Sequence, residues 1–466
     1  MGCNNNGRPV GGHCCLWDGF SLCGAKALTY SGGMPLQNRR SFLKLSALAG
    51  AFSANSLFHQ AHAEEWQAAS RAVSHLDSKA VAQNEDFWSV IQRGYSASPL
   101  ILNLNNGGVS PSPIVSQQAV ERYLQMTNEG PSYYMWQILD EGREPLRQRL
   151  ARLGGVSAEE VAINRNTTEG LHNIIFGLPL KAGDEVVGCK YDYGHVMQAY
   201  RQRQQRDGIV YKQVTIDLPC EDVDSMVKAY EQAITPKTKL VHITHVMNGI
   251  GQILPVRQIA DMAHAHGAEV IVDGAHSYGL LDFKISDLNC DYFGTSLHKF
   301  LSAPIGTGML WVRKEKIAQV WPLLGTGEPH SPDIRKFEVL GTRSFALEQG
   351  IGEALNFHEA IGSRRKQERL FYLKSYWTSR VKEMKGVKLH TSEKPEFSCA
   401  IGSVSVEGYT PAELLDILFQ RYKIHSKIAL LDNVKCHRIT PHVYTTLADL
   451  DRFVNAIGEL AAAKNG

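Results

Sequence analysis

The sequence lacks the patterns that would indicate a zinc site, a disulfide framework or a membrane span. None of its nine cysteines forms a Cys-x-x-Cys pair, and the five beyond residue 63 are scattered along the chain. The uncharged run at residues 45–58 is too short, and too rich in Ser, Asn and Gly, to cross a bilayer. We therefore expect no metal site and no stable membrane span.

A concentration of positive charge is also lacking in most of the chain. The protein carries 49 Lys and Arg against 47 Asp and Glu, and five of these basic groups but only one acidic group precede residue 64. The remainder is close to neutral and has no basic stripe, so we expect neither nucleic acid nor an anionic membrane as a partner. No internal repeat is present, and 466 residues are enough for two or three packed domains.

Residues 1–63 have the pattern of an export signal. Arg39 and Arg40 begin the string Arg-Arg-Ser-Phe-Leu-Lys, a short uncharged run follows, and a small-x-small cleavage pattern ends at Ala63. The string resembles twin-arginine signals, so we expect the twin-arginine export machinery as a partner and a periplasmic location. The preceding residues fit no part of such a signal, and Met34 gives a basic region of ordinary length, which favours Met34 as the true start.

The rest of the chain divides into three predicted regions. Residues 64–99 are polar and compatible with helices, residues 100–345 alternate between strand-like and helix-like segments, and residues 346–466 form a smaller α+β domain. Alternation of this kind predicts an α/β fold with a mostly parallel sheet covered by helices. Apolar runs without clean alternation predict buried strands at Val161–Ile163, Glu185–Val187, Leu240–Ile243, Glu269–Val272 and Tyr292–Phe293.

Two ionisable residues follow neighbouring predicted strands. Asp273 follows one apolar run directly, and Lys299 comes 26 residues later, after the next predicted strand. Adjacent parallel strands would bring both side chains into one crevice at the carboxyl edge of the sheet. Pyridoxal 5′-phosphate (PLP) needs such a pair, because the lysine forms a Schiff base with the cofactor and the carboxylate keeps the pyridine nitrogen protonated. We therefore predict Lys299 and Asp273 as the catalytic pair of a PLP site.

Further polar residues surround this pair in the sequence. Ser296 and His298 come just before the lysine and could donate hydrogen bonds to the cofactor phosphate, and His276 could reach the ring hydroxyl. Taken singly, an Asp after a strand is often only a helix cap, and a His-Lys pair usually lies at the surface. The PLP interpretation depends on their occurrence together at two strand ends.

The strings Asp273-Gly-Ala-His-Ser277 and Ser296-Leu-His-Lys-Phe-Leu-Ser302 resemble class V aminotransferases of PLP fold type I, and among them isopenicillin N epimerase-like proteins. The likeness extends over about residues 100–460 and includes the opening turn Asn103-Leu-Asn-Asn-Gly-Gly108. It implies a large PLP-binding domain, a smaller C-terminal domain and a homodimer with shared active sites.

The resemblance also assigns roles to residues outside the central strings. It implies a phosphate site at Asn166-Thr-Thr-Glu-Gly170, with contacts from Thr167 and Thr168, and the free N–H groups of a helix N-terminus suit an anion there. In Tyr191-Asp-Tyr-Gly-His195 it implies an aromatic ring over the cofactor, Tyr193 being favoured and Tyr191 remaining open. Asn248 would face cofactor or substrate.

Two further assignments from the resemblance concern the substrate and the second subunit. Arg438, in His437-Arg-Ile-Thr-Pro-His-Val-Tyr444, would bind the substrate carboxylate, a role that suits the planar guanidinium. Thr342, in Gly341-Thr-Arg343, would reach the phosphate of the neighbouring subunit.

The reaction itself is left open by the sequence. We favour an epimerase or aminotransferase-like activity at the α-carbon of an amino acid or peptide-like amine, with a carbon–sulfur β-lyase or a cysteine desulfurase-like enzyme as the alternative. No cysteine lies between Ile424 and Val434, where desulfurases of this class carry their nucleophile, which argues against a persulfide-forming enzyme. An exported, non-catalytic binding protein is the alternative from another class, although a binding protein would need neither Lys299 nor Asp273.

Overall fold

The computed structural model describes residues 64–432 and 434–465. The predicted export signal, its cleavage site and the choice between the two starts therefore lie outside the described residues. Within the described ranges, no helix is both long and apolar enough to cross a membrane.

The described chain contains strands and helices in alternation. The strands are β1 (Leu102–Asn103), β2 (Val161–Asn164), β3 (Glu185–Cys189), β4 (Val210–Val214), β5 (Thr238–Thr244), β6 (Glu269–Asp273), β7 (Tyr292–Ser296), β8 (Gly308–Val312), β9 (Val387–Leu389), β10 (Gly402–Val406), β11 (Ile424–His425), β12 (Lys427–Leu431) and β13 (Val434–Ile439). Residues 64–72 are helical, and the other α-helices are Ser78–Ala82, Glu85–Gln92, Ile114–Glu129, Pro131–Tyr133, Arg143–Gly154, Thr167–Gly177, Gly194–Asp207, Val223–Glu231, Val256–Ala265, Phe345–Ile361, Ser363–Val381, Pro411–Tyr422 and Leu447–Asn465. A π-helix spans Tyr134–Leu139, and 3₁₀ turns span Ala158–Glu160, Ile285–Leu288, Lys314–Gln319 and Ile334–Glu338.

A seven-stranded sheet forms the centre of the molecule, in the order β2-β8-β7-β6-β5-β3-β4. Its strands run parallel except β8, which is antiparallel to both β2 and β7. The predicted α/β class and the mostly parallel sheet are confirmed, and each strand predicted in this region is present. Strands β4 and β8 were not predicted.

Both faces of this sheet are covered, which explains why its strands show apolar runs rather than alternation. Ile271 of β6 packs on one face, in a core that includes Ile174 of helix Thr167–Gly177. Its neighbours Val270 and Val272 point to the opposite face and pack in a second core with Ile259 of helix Val256–Ala265. Successive residues of a strand thus supply two different cores.

A second, antiparallel sheet in the order β12-β13-β10-β9 lies in the C-terminal part of the chain. It packs with helices Ser363–Val381, Pro411–Tyr422 and Leu447–Asn465 around a core of its own. Strand β1 joins this region, because Leu102 pairs with Ile424 of β11 in a parallel bridge. The smaller α+β C-terminal layer is therefore confirmed, with a contribution from the start of the predicted large domain, while the predicted boundary near residue 345 stays a prediction.

Candidate active site

A cavity of about 710 Å³ opens at the carboxyl ends of β3, β5, β6 and β7 and is closed on its far side by β12 and by Arg438 of β13. This is where open parallel sheets bind their ligands. The structure brings together in this cavity all the predicted site residues but Thr342, namely Thr167, Thr168, Tyr193, Asn248, Asp273, His276, Ser296, His298, Lys299 and Arg438. Residues from six separate stretches of sequence therefore meet in one place.

Asp273 ends β6 and Lys299 follows the neighbouring parallel strand β7, as predicted. Asp273 ends β6 and pairs in register with Gly294 of β7. Its carboxylate is buried and its Oδ1 accepts the N–H of Ala275 at 2.9 Å. Burial raises the pKa of Asp273, partly offset by the Ala275 N–H and by Lys299. A buried carboxylate aimed into the cavity is a suitable partner for a protonated ring nitrogen.

Lys299 lies three residues after the end of β7, and the pKa of its ammonium group is lowered. Burial lowers the pKa of its ammonium to about 8, against the opposing effect of Asp273 and with a smaller contribution from Arg438. An ordinary lysine titrates near 10.5, so Lys299 has a much larger fraction of neutral amine near neutral pH. A neutral amine is the form that can attack an aldehyde or accept a proton.

His276 lies between the lysine and the opening turn of the chain. Its Nε2 is 2.7 Å from the carbonyl oxygen of Gly107 and 3.3 Å from Lys299 Nζ. Because a carbonyl only accepts, Nε2 carries the hydrogen and donates it to Gly107. Burial lowers the pKa of His276 well below its usual value, with Lys299 and Arg438 adding to the effect. The imidazole is therefore neutral and fixed in one orientation.

A pocket for an anion forms where β7 meets helix Thr167–Gly177. Asn166 caps this helix by accepting the N–H of Glu169 at 2.9 Å. The Thr167 N–H donates to Ser296 Oγ at 3.0 Å, and the Thr167 and Ser296 hydroxyl oxygens are 2.7 Å apart. Hydroxyls at the positive end of a helix dipole are well suited to holding a phosphate group. The predicted neighbourhood of Thr167 and Ser296 is thus present.

Two further residues shape this anion pocket. His298 Nδ1 is 2.9 Å from the carbonyl oxygen of Thr307, so its ring is oriented by a donated hydrogen bond. Gly308 begins β8, and a Cβ at this position would lie 2.5 Å from the backbone of Asn166. Only glycine permits so close an approach, so the unpredicted strand β8 directly supports the helix N-terminus.

The two tyrosines considered for ring stacking differ in burial. Tyr191 is 5% exposed, whereas Tyr193 is 43% exposed, although both line the cavity. A side chain that covers a cofactor ring needs a fixed position, which packing supplies for Tyr191. Burial therefore favours Tyr191, rather than the predicted Tyr193, as the residue that covers the cofactor ring.

Asp192, between these tyrosines, is a buried cavity residue that the sequence did not reveal. Its carboxylate accepts the Cys189 N–H at 2.6 Å and the Thr244 hydroxyl at 2.7 Å. Burial raises the pKa of Asp192 to about 7, and Asp273 adds to the effect. Thr244 is the register partner of Asp273, so Asp192, Thr244 and Asp273 follow one another along the edges of β3, β5 and β6. The only available signal was its position after an apolar run.

Arg438 forms the opposite wall and has no acidic partner in the described part of the chain. It is 6% exposed; Nη1 donates to the carbonyl oxygen of Asn248 at 3.1 Å and Nη2 to Asn105 Oδ1 at 2.5 Å. Its Nε is buried without a partner. Burial lowers the pKa of Arg438 to about 10, so the group stays charged at neutral pH. A buried, charged and incompletely bonded guanidinium has the chemistry to bind a carboxylate.

Thr342, the remaining predicted residue, is exposed and does not line the cavity of its own chain. Its predicted contact with a neighbouring subunit stays a prediction. Within the described residues, no group of His, Cys, Asp or Glu side chains is arranged to hold a metal ion.

Comparisons with known proteins agree with this geometry. Residues 102–453 match the family model of class V aminotransferases. The chain is 25% identical over 390 residues to the isopenicillin N epimerase of Streptomyces clavuligerus, covering 80% of this chain and 98% of that protein. It is 26% identical over 390 residues to a probable cysteine desulfurase of Halalkalibacterium halodurans, covering 79% and 95%.

Solved structures share the fold. A cysteine desulfurase from Thermococcus onnurineus has a TM-score of 0.72 at 22% identity, covering 82% of this chain and 98% of that one. A mutant of C-DES with glycine linked covalently to its PLP cofactor has a TM-score of 0.72 at 20% identity, covering 79% and 99%.

The residues of this cavity fit PLP, with an anion pocket for the phosphate, a buried carboxylate for the ring nitrogen and an amine of lowered pKa between them. The guanidinium of Arg438, whose Nε has no partner, is not needed for this fit. Together with the match over residues 102–453, this arrangement shows that the chain is a PLP-dependent enzyme and belongs to the class V aminotransferase family.

Proposed function

We propose that this enzyme moves the α-proton of an amino acid or peptide-like amine, in an epimerase or aminotransferase-like reaction. The observation that carries the proposal is the buried, unpaired Nε of Arg438 in the same cavity as Lys299 and Asp273. A group that binds carboxylate beside an amine of lowered pKa is what a reaction at the α-carbon of an amino acid requires.

Each residue has a distinct part in this reaction. Arg438 binds and orients the substrate carboxylate, and Lys299, neutral above a pKa of about 8, takes the proton from the α-carbon. Asp273 keeps a proton on the ring nitrogen, and His276 is held in its neutral form beside Lys299. PLP supplies the electron sink that makes an α-proton acidic enough to remove.

The position of the cysteines bears on the desulfurase alternative. Desulfurases need a reactive, accessible thiol, and thiolate character depends on a low pKa. Among the described residues no cysteine lines the cavity, and burial raises the pKa of Cys436, two residues from Arg438, to about 11. These facts support a reaction without a protein persulfide and leave β-elimination of a sulfur substrate as the competing chemistry.

The test is exchange of the α-proton in deuterated water over a panel of L- and D-amino acids and short peptides. Each reaction would also be monitored for inversion at the α-carbon, for keto acid and for sulfide. Exchange with inversion identifies an epimerase, and keto acid identifies a transaminase. Sulfide, or pyruvate released together with free ammonia, would replace this proposal by the carbon–sulfur lyase, because transamination releases no ammonia.

We also propose that the enzyme is exported to the periplasm by the twin-arginine route, with cleavage near Ala63. The support is the order of the basic string at Arg39 and Arg40, the uncharged run and the small-x-small pattern. Replacement of both arginines by lysine should retain the precursor in the cytoplasm, as measured by fractionation and N-terminal sequencing. Uncleaved wild-type protein in the cytoplasm of its native cell would contradict this proposal.

A homodimer with shared sites, in which Thr342 reaches the partner's phosphate, is proposed as well. Trp136 and Val339, which are 40% and 44% exposed, border the same surface cavity as Gly341 and Arg343. Exposed apolar side chains next to the predicted contact segment support an interface there. Sedimentation should give twice the chain mass, and Thr342→Val should weaken cofactor retention. A monomer that retains full activity would refute the shared site.

A further inference from the structure

The outer wall of the cavity contains a second cation that none of the assigned roles uses. Lys427 of β12 and Arg438 of β13 are direct partners in the antiparallel ladder, and both line the cavity. Side chains of directly opposite residues project from the same face of a sheet, with Cβ atoms about 5 Å apart. Lys427 and Arg438 therefore present two positive charges to the same space.

Neither charge is neutralised within the described part of the chain. Lys427 and Arg438 have no ion pair there, whereas the nearby cavity residue Lys190 contacts Asp432 at 3.4 Å. Like charges placed directly opposite in a sheet destabilise it. The pair is therefore an unfavourable arrangement in the empty wall and a favourable one when anions bind.

The two cations lie at different depths in this wall, since Arg438 is buried and Lys427 is exposed. Arg438 already has the geometry for the α-carboxylate of the substrate, with Nε unpartnered and its two other nitrogens held by Asn248 and Asn105. Lys427 is exposed to the cavity mouth, so its ammonium lies nearer solvent than the buried guanidinium. A group that meets Lys427 is thus more distant from the reacting carbon than one that meets Arg438.

We propose that the substrate carries a second anionic group, distal to its α-carboxylate, and that Lys427 binds it. This inference rests on the proposed function, since it takes Arg438 as the α-carboxylate site. Lys427 is then a specificity-determining residue, which selects amino acids or peptide-like amines that end in a carboxylate over neutral analogues of the same length.

Calorimetry with simple acids tests the binding part without any reaction. Glutarate, with two carboxylates, should bind the PLP-loaded wild type about fivefold more tightly than valerate at low ionic strength, the range expected for one partly exposed ion pair. Lys427→Gln should remove this difference and leave valerate unchanged. Lys435→Gln is the matched control, because it removes an exposed charge from the same hairpin outside the cavity.

Proton exchange tests the catalytic part. In Lys427→Gln, kcat/KM for glutamate and its longer homologue should fall about fivefold, while the value for glutamine stays the same. Lys427→Glu should reverse the preference toward substrates with an ammonium end. An equal loss for acidic and neutral substrates would overturn the proposal by placing Lys427 at the α-carboxylate, and so would equal binding of glutarate and valerate by the wild type. If no amino acid exchanges its α-proton, the proposed function fails, and the glutarate measurement still decides the role of Lys427.

Discussion

The two walls of the cavity are built differently. On the cofactor wall, at the edge of the seven-stranded sheet, polar side chains bond to one another and to the backbone, as Thr167 does with Ser296 and His298 with Thr307. On the substrate wall, formed by β12 and β13, Arg438 keeps an unpaired Nε and Lys427 has no ion pair within the described residues. The first wall suits a cofactor that stays bound. The second keeps positive charges and a hydrogen-bond donor without partners, which suits a ligand that binds and leaves.

Loss of the lysine on the cofactor wall should have the largest effect. Lys299→Ala removes the amine of lowered pKa, so activity should fall by about 10⁴-fold or more, the upper range for a general base. Borohydride treatment should link cofactor to the wild type but not to the variant, as measured by mass spectrometry. A link that persists in Lys299→Ala, or that maps to another lysine, would contradict the assignment.

Loss of the carboxylate that would hold the ring nitrogen protonated should have the next largest effect. Asp273→Asn keeps the shape and the acceptor for Ala275 but cannot hold a proton on the ring nitrogen, so kcat should fall about 100-fold or more. Cofactor should still bind, as its absorbance after gel filtration would show. A variant with nearly normal kcat would remove Asp273 from this role.

A change on the substrate wall should alter binding more than turnover. Arg438→Lys keeps the charge but loses the two-pronged geometry, so KM should rise about 10- to 100-fold, the value of one or two hydrogen bonds to a charged group. The kcat should change less, because the interaction is present in ground and transition states alike. Steady-state kinetics with an unchanged KM would show that another group binds the carboxylate.

The lowered pKa of Lys299 predicts how reconstitution depends on pH. Only the neutral amine attacks the cofactor, so below a pKa of about 8 the rate for apo-protein should rise tenfold per pH unit and level off above that value. An ordinary lysine, at 10.5, would still be rising at pH 9. Stopped-flow absorbance between pH 6 and 9 measures the profile, and a rate that keeps climbing at pH 9 would exclude the lowered pKa.

The smallest effect distinguishes the two tyrosines. Tyr191→Leu should weaken cofactor affinity about three- to tenfold, the value of one aromatic contact, whereas Tyr193→Leu should change it less. Equilibrium dialysis of the two variants side by side measures the difference. The reverse order would restore Tyr193 as the residue over the ring.

The cofactor wall could be predicted because its evidence is local. Asp273 and Lys299 follow apolar runs that lack alternation, and parallel strands place their carboxyl ends at one edge, so two short strings were enough to predict a shared crevice. The register of β6 with β7 confirms this. Strand β8 is an apolar run like those of the predicted strands, but its antiparallel direction between β2 and β7 has no local signature in the sequence.

The substrate wall could not be predicted to the same extent. The resemblance of a short motif was enough to predict Arg438. The residues around it are brought there by contacts between distant parts of the chain, which no short stretch of sequence reveals. Lys427 is placed opposite Arg438 only by the register of β12 with β13. Asn105 reaches Arg438 only through a hydrogen bond between residues 333 positions apart. Asp192 lies in a predicted motif, yet nothing in the string distinguishes a buried carboxylate from a surface one.

The bond between Asn105 and Arg438 also sets an order of events during synthesis. Its two partners are 333 residues apart, and β1 is paired with β11 next to it. At 5–20 residues per second, a ribosome needs on the order of 20–70 s between making the first partner and the second. Asn105 is without its guanidinium partner throughout that interval, and Asp273 and Lys299 are both made before it ends. A nascent chain stopped before residue 438 can thus possess the cofactor wall and still be unable to recognise a carboxylate.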